Sequence, residues 1–359
     1  MSGCKSSKTI KIAGLAAYTA AHFCVDLCCF YILFARFYPS AGSLYNVSLG
    51  FLCYNATAFG LQFLLGALAD KKRLPLGSIG AALCLIALAV KFSSVLALAL
   101  CALGNAAFHA GGGASVLKKS GGRSADGGIF VSTGALGVFA GTYLGKQGAA
   151  PLIPFLLIIS AFAAAAAAET ADIKLKPGYP EYIARSASGS LPLAAALSAV
   201  LAAVLIRSYG GAVMPAEWKT DDFSAFVFVL AAFAGKAAGG IIADLLGAKN
   251  TAAAALLISA ALGVAAGESM AAGALAVFFF NVPMAITLSA AADRLSSNEG
   301  LAFGLTTLCL LLGAMPTFFF LLPQNASPAV FAALTAAAAA ALFFALKNEG
   351  TLCKKSVRL

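Results

Sequence analysis

Apolar residues run along this chain in blocks of about 20, the length that crosses the hydrocarbon of a bilayer as one helix. Short polar or glycine-rich segments separate the blocks. They predict twelve spans, at 10–36, 43–69, 74–92, 94–117, 125–148, 150–168, 191–213, 223–246, 251–267, 270–292, 299–322 and 327–346. The widest gap, 169–190, is rich in proline, glycine and charge and reads as a cytoplasmic linker between the halves 1–168 and 191–359. The expected fold class is an all-α polytopic membrane protein with 12 transmembrane helices in two six-helix bundles.

Composition narrows the function classes. Of 359 residues, 61% are hydrophobic and 11% charged, with a mean hydropathy of +0.92, whereas soluble domains carry about a quarter charged residues. A water-facing enzyme, a disordered chain and a nucleic-acid binder all fit poorly. The net charge of +10 is scattered over short connections, which is how orientation is encoded in a bilayer. With both termini on one side, that side collects 18 of the 24 lysines and arginines, and only Arg36, Lys91, Lys146, Arg207, Lys219 and Lys236 fall elsewhere. Both termini are therefore expected in the cytoplasm, with the chain in a bacterial cytoplasmic membrane. The first apolar run is too long for a signal peptide, and the nine cysteines read as small apolar side chains. No G-x-x-x-x-G-K-S/T loop occurs, so primary pumping is not expected, and no cofactor or resident metal is expected either.

An internal repeat organises the spans. The second ends in Gly66-Ala67-Leu68-Ala69-Asp70 before Lys71-Lys72-Arg73, and the eighth in Gly240-Ile241-Ile242-Ala243-Asp244 before Gly247-Ala248-Lys249. The offset between Asp70 and Asp244 is 174 residues, and the same shift carries His109 onto Pro283. Two halves with an even helix count each run parallel and leave a cleft between them.

The doubled G-x-L-A-D pattern with its basic tail resembles the loop signature of the major facilitator superfamily, with Arg73 where that family has a second glycine. Gly104-Asn105-Ala106-Ala107-Phe108-His109, followed by Ser120-Gly121-Gly122-Arg123, resembles the fosmidomycin-resistance branch, as does Arg207-Ser208 with Pro215; Ala110 replaces that branch's proline. Gly128, Gly137, Gly141 and Gly145 resemble an antiporter glycine series, although a smooth stripe for helix packing accounts for them equally. The resemblance implies alternating access around a central site, with the first and fourth helices lining the cleft and His109 near His22 and Asp26.

Ionisable groups deep in a span are the first candidates for chemistry, at about 2.5–3.5 kcal/mol for a charge at mid-bilayer. His22 and Asp26 are four apart on one face of the first span, suited to loading and releasing a proton, with a structural pair as the alternative. His109, before Gly111-Gly112-Gly113, joins them as a coupling candidate and a substrate contact. Arg207 and Lys236 are the expected anion-binding cations, with Asn105 and Asn281 as further substrate contacts; Arg36, Lys91 and Lys146 have snorkelling as their simpler reading. Asp70, Arg73, Arg123, Asp244 and Arg294 are gating candidates, through ion pairs or by capping a neighbouring helix; a solvated charge is the alternative. His22, Asp26 and Cys29, with Cys24 and Cys28 close by, leave a soft-metal site open.

The expected function is a secondary active transporter, proton-coupled, moving a small organic anion or anionic drug-like compound as a monomer. A membrane-embedded enzyme on a lipid-soluble substrate, a soft-metal or cation transporter, and a non-transporting sensor are the alternatives.

Overall fold

The computed structural model describes residues 2–174, 191–320 and 327–347. The stretch 175–190 of the expected linker lies outside the described residues. Among the described residues, twelve apolar helical segments follow one another. They are α1 Lys11–Ser40, α2 Leu44–Lys71, α3 Leu76–Ala89, α4 Ser94–Ser120, α5 Ser124–Lys146, α6 Leu152–Asp172, α7 Leu193–Ala212, α8 Asp222–Leu246, α9 Ala248–Ala265, α10 Met270–Arg294, α11 Glu299–Phe318 and α12 Ser327–Ala345. Eleven are long and apolar enough to cross a membrane, and α3 is the shorter one. The chain is a multi-pass membrane protein. Hydrocarbon offers no hydrogen bonds, so each spanning segment closes its own backbone as helix, and no strand occurs among the described residues.

Lipid does not drive apolar faces together, so helix contacts rest on small residues that let backbones approach. Gly80 and Gly104 bring α3 and α4 together: a Cβ on Gly80 would stand 2.5 Å from the Gly104 carbonyl oxygen. Large apolar side chains such as Leu64, Ile86, Leu156, Leu230 and Leu257 are exposed instead. Polar connections carry the caps. Ser43 and Ser93 accept the N–H of Asn46 and Leu96, both at 3.2 Å. Asp221 and Ser224 form a reciprocal box before α8 whose hydrogen bonds hold the Asp221 carboxyl below the usual carboxylate range.

The chain divides into two compact units. Unit 1 holds the described residues up to Gly121, Thr133 to the end of α6, and Ser297–Leu308. Inside it α1 packs on α4 and α6, and α3 on α4 and α6. Unit 2 holds Gly122–Ser132, the described residues from 191 to Ser296, and those from Cys309 onward. There α7 packs on α10 and α12, and α9 on α10 and α12, the same pattern one repeat later. The first turns of α5 thus belong with unit 2, and those of α11 with unit 1.

Several helices are irregular: α2 is interrupted at Leu61, and α11 closes in a 3-10 turn at Met315–Phe318. α10, expected as one run, breaks at Val282, because Pro283 has no N–H for the ladder; Val282 N instead donates to the Phe279 carbonyl at 3.3 Å. α1 widens into a π turn at Leu33–Phe37. That turn holds Arg36, whose Nη1 donates to the carbonyls of Val90 at 2.9 Å and Ala87 at 3.4 Å, at the C-terminal end of α3.

Candidate functional site

In unit 1, α1 and α4 each present two polar side chains one helical turn apart. His22 and Asp26 on α1 are 4% and 7% exposed, and Asn105 and His109 on α4 are 3% and 9% exposed. His22 Nε2 lies 3.2 Å from Asp26 Oδ2, and His109 Nε2 lies 2.8 Å from His22 Nε2 and 3.7 Å from Asp26 Oδ1. Asn105 orients two members of this group. Its Nδ2 donates to Asp26 Oδ1 at 2.9 Å, and its carbonyl stands 2.9 Å from His109 Nδ1. The whole sequence contains two histidines, so its entire imidazole complement meets at one buried carboxylate.

The surroundings hold the group in place. Phe108 is fully buried, with its ring 6.3 Å from that of His22. α5 covers another side through Gly134, where a Cβ would stand 2.5 Å from Asp26 Oδ2 and inside contact distance of His22 Nε2. Gly137, Gly141 and Gly145 press on Phe23, Leu27 and Tyr31 along the same face of α1, so this glycine series is a packing stripe. Gly128 lies apart from that stripe, in unit 2, against the Lys236 carbonyl. Gly134 is the residue that sequence reading missed, although it lies three residues before Gly137, on the same face.

The cysteines sort differently from the expected grouping. Cys29 does not turn toward His22. Its Sγ lies 3.7 Å from Cys84 Sγ, from the Cys101 carbonyl oxygen and from Asn105 Nδ2. His109 takes the third place instead: His22, Asp26 and His109 each offer one ligand atom within 4.8 Å of the others.

Unit 2 carries a different chemistry. Arg207 on α7 is 4% exposed; its Nη2 donates to the Phe280 carbonyl at 2.7 Å, and its guanidinium sits 5.1 Å from the centre of the Phe280 ring. Its Nε and Nη1 are buried without a hydrogen-bond partner, and no carboxylate pairs with it among the described residues. Lys236 is half-buried on α8. Asn281 spends its amide N–H on the Val277 carbonyl of its own helix at 2.9 Å. Shifting His22, Asp26 and His109 by the repeat offset lands on Ala196, Val200 and Pro283, so unit 2 has no counterpart of the polar group at those positions.

The loop carboxylates occupy matching places. Asp70 accepts the N–H of Gly300 at 2.9 Å and of Leu301 at 2.8 Å, capping α11, with Lys118 at 3.1 Å. Asp244 accepts the N–H of Ser124 at 2.9 Å and of Ala125 at 3.0 Å, capping α5. Arg73 is exposed and has no partner among the described residues. Arg123 pairs with Asp126 at 2.8 Å within the first turn of α5. Arg294 Nη2 donates to the Ala345 carbonyl at 2.6 Å, at the end of α12.

Chemically, unit 1 offers a buried carboxylate with two imidazoles, groups able to bind a proton or another small cation, and unit 2 offers a buried guanidinium with donors to spare. No family model matches the chain, and no curated protein matches its sequence. Solved structures do match its shape. A variant of the E. coli fucose:proton symporter aligns over 94% of this chain and 99% of its own at 14% identity, with a TM-score of 0.65. The human organic anion transporter TETRAN aligns over 94% and 99% at 16% identity and 0.64. A bacterial homologue of the iron transporter ferroportin aligns over 94% and 97% at 13% identity and 0.59. A transporter described as belonging to the Major Facilitator Superfamily aligns over 94% of this chain and 100% of its own at 14% identity and 0.64, and what these likenesses establish for this chain is its fold, the one it shares with that transporter.

Proposed function

We propose that this chain is a secondary active transporter working by alternating access, coupled to protons through Asp26 with His22 and His109. The observation that carries this reading is the meeting of both histidines on one buried carboxylate, 87 residues apart in sequence. Two ring nitrogens at hydrogen-bonding distance share one proton between them, and the carboxylate beside them stabilises whichever ring is charged. Such residues are costly in a membrane interior and are kept there for function.

The cargo in this reading is a small organic anion. Arg207 supports it, since a buried guanidinium with two unpartnered nitrogens is balanced by an anionic ligand; Lys236 and Asn281, in the same unit, are the further contacts. The likeness of Phe108-His109 and Arg207-Ser208 to the fosmidomycin-resistance branch favours export, whereas the imperfect antiporter glycine series, a packing stripe, weighs against it. The caps made by Asp70 and Asp244, with Arg73, Arg123 and Arg294 around the same loops, serve as latches that release during the cycle. The basic excess on one side supports both termini lying on the cytoplasmic face of a bacterial membrane, with the carrier working as a monomer.

Proteoliposomes test the coupling. With an imposed pH gradient, Asp26→Asn should abolish gradient-driven flux while eluting as a folded monomer; undiminished flux in that variant rejects the assignment.

A further inference from the structure

We infer that His22, Asp26 and His109 form a binding site for a divalent first-row metal ion of the zinc or cobalt type. This deepens the reading of the triad as the place where the carrier loads a cation, and rests on it. A hydrogen bond fixes the tautomer of His109. Its Nδ1 faces the Asn105 carbonyl at 2.9 Å; a carbonyl only accepts, so Nδ1 carries the hydrogen and Nε2 of the neutral ring presents a lone pair. That lone pair points at His22 Nε2, 2.8 Å away, beside the Asp26 carboxylate. A proton satisfies one pair of these atoms, whereas a divalent ion satisfies all three.

The spacing fits such an ion. Nitrogen or oxygen ligands about 2.0–2.1 Å from a tetrahedral metal stand about 3.3 Å from one another. The separations here are 2.8 Å between the two imidazole nitrogens, 3.2 Å from His22 Nε2 to Asp26 Oδ2 and 3.7 Å from His109 Nε2 to Asp26 Oδ1, so they bracket that value with the carboxylate turning a different oxygen to each ring, and one ligand atom from each residue lies within 4.8 Å of the others. Two imidazoles and one carboxylate suit borderline ions such as zinc, cobalt or nickel, not the all-oxygen shells of calcium and magnesium. Three protein ligands leave a coordination position open, as an ion that must enter and leave requires.

The outer contacts are those of a metal centre. Asn105 fixes two of the three ligands, through its side chain to Asp26 and its carbonyl to His109, and such contacts set ring orientation and ligand basicity. Glycine at 134 lets α5 close over the ligands without a side chain that would push them apart. Cys29 stays outside the set, held toward Cys84.

The test uses the full-length protein in detergent at one fixed pH, purified without a polyhistidine tag and titrated with CoCl2. The expected result is a visible d–d absorption band that saturates at one equivalent and is displaced by ZnCl2. His22→Gln and His109→Gln should each lose the band while keeping the helical circular dichroism and elution volume of the parent. Asn105→Ala should weaken binding about 10- to 100-fold, and Cys29→Ser should leave it unchanged. No band in the parent protein, or an undiminished band in both histidine variants, overturns the site. The two readings fail separately. A protein that binds no Co2+ but couples flux to the pH gradient through Asp26 loses only the metal site, and one that binds Co2+ while Asp26→Asn keeps full gradient-driven flux loses only the proton assignment.

Discussion

Asp70 on α2 receives the backbone N–H of Gly300 at 2.9 Å, the first turn of a helix that lies 230 residues further along the chain. A carboxylate at a helix N-terminus both satisfies open donors and meets the positive end of the helix dipole. Asp70→Ala leaves the N–H groups of Gly300 and Leu301 without that acceptor and should cost about 0.5–2 kcal/mol. Asp244→Ala should cost a similar amount at α5, and with separate partners the two losses should add in the double variant. Thermal unfolding in detergent measures all three.

Gly134→Ala introduces a Cβ against His22 and Asp26 with no free volume to take it. Overpacking of this kind costs about 1–3 kcal/mol, and here the displaced atoms belong to the proposed coupling group. The variant should show both a lowered Tm and a loss of gradient-driven flux; full flux at the parental rate contradicts the placement of α5 on the triad.

Arg207→Met should separate stability from function. A buried cation that is incompletely paired destabilises the fold that contains it, and apolar replacement of buried charge is often neutral or stabilising. The expected outcome is an unchanged or higher Tm together with loss of anion-dependent thermal stabilisation. Arg207→Lys should retain the charge but weaken that stabilisation, because the planar fork of donors is gone.

Asn105→Leu removes the donor to Asp26 Oδ1 and leaves a buried acceptor unsatisfied, at a cost of about 1–3 kcal/mol. Asn105→Asp places a second carboxyl beside the first and should impair gradient-driven flux more than Asn105→Leu does, which initial-rate measurements in proteoliposomes decide.

The spans were legible because lipid imposes one local rule on every one of them, and apolar block length alone places α2, α8 and α12 within a few residues. The pairing of His22 with Asp26 was legible for the same reason: four residues apart is a property of one helix. What periodicity does not contain is which helix stands opposite. The approach of His109 came only through family resemblance, and the rotation of Cys29 away from the group depends on where α3 packs. Gly134 was passed over because a glycine shows its value only once the neighbouring backbone is known to be close. The break in α10 had a signal in Pro283, but proline inside an apolar block is compatible with a continuous span in lipid.

The repeat duplicated a scaffold without duplicating its chemistry. Ala196, Val200 and Pro283 occupy the places where a second copy of the polar group would sit, so the inherited symmetry offers one berth per protein rather than two. In the proposed carrier, a cation taken up by a carboxylate with its imidazoles would therefore load on the first half alone, however similar the two halves are in outline.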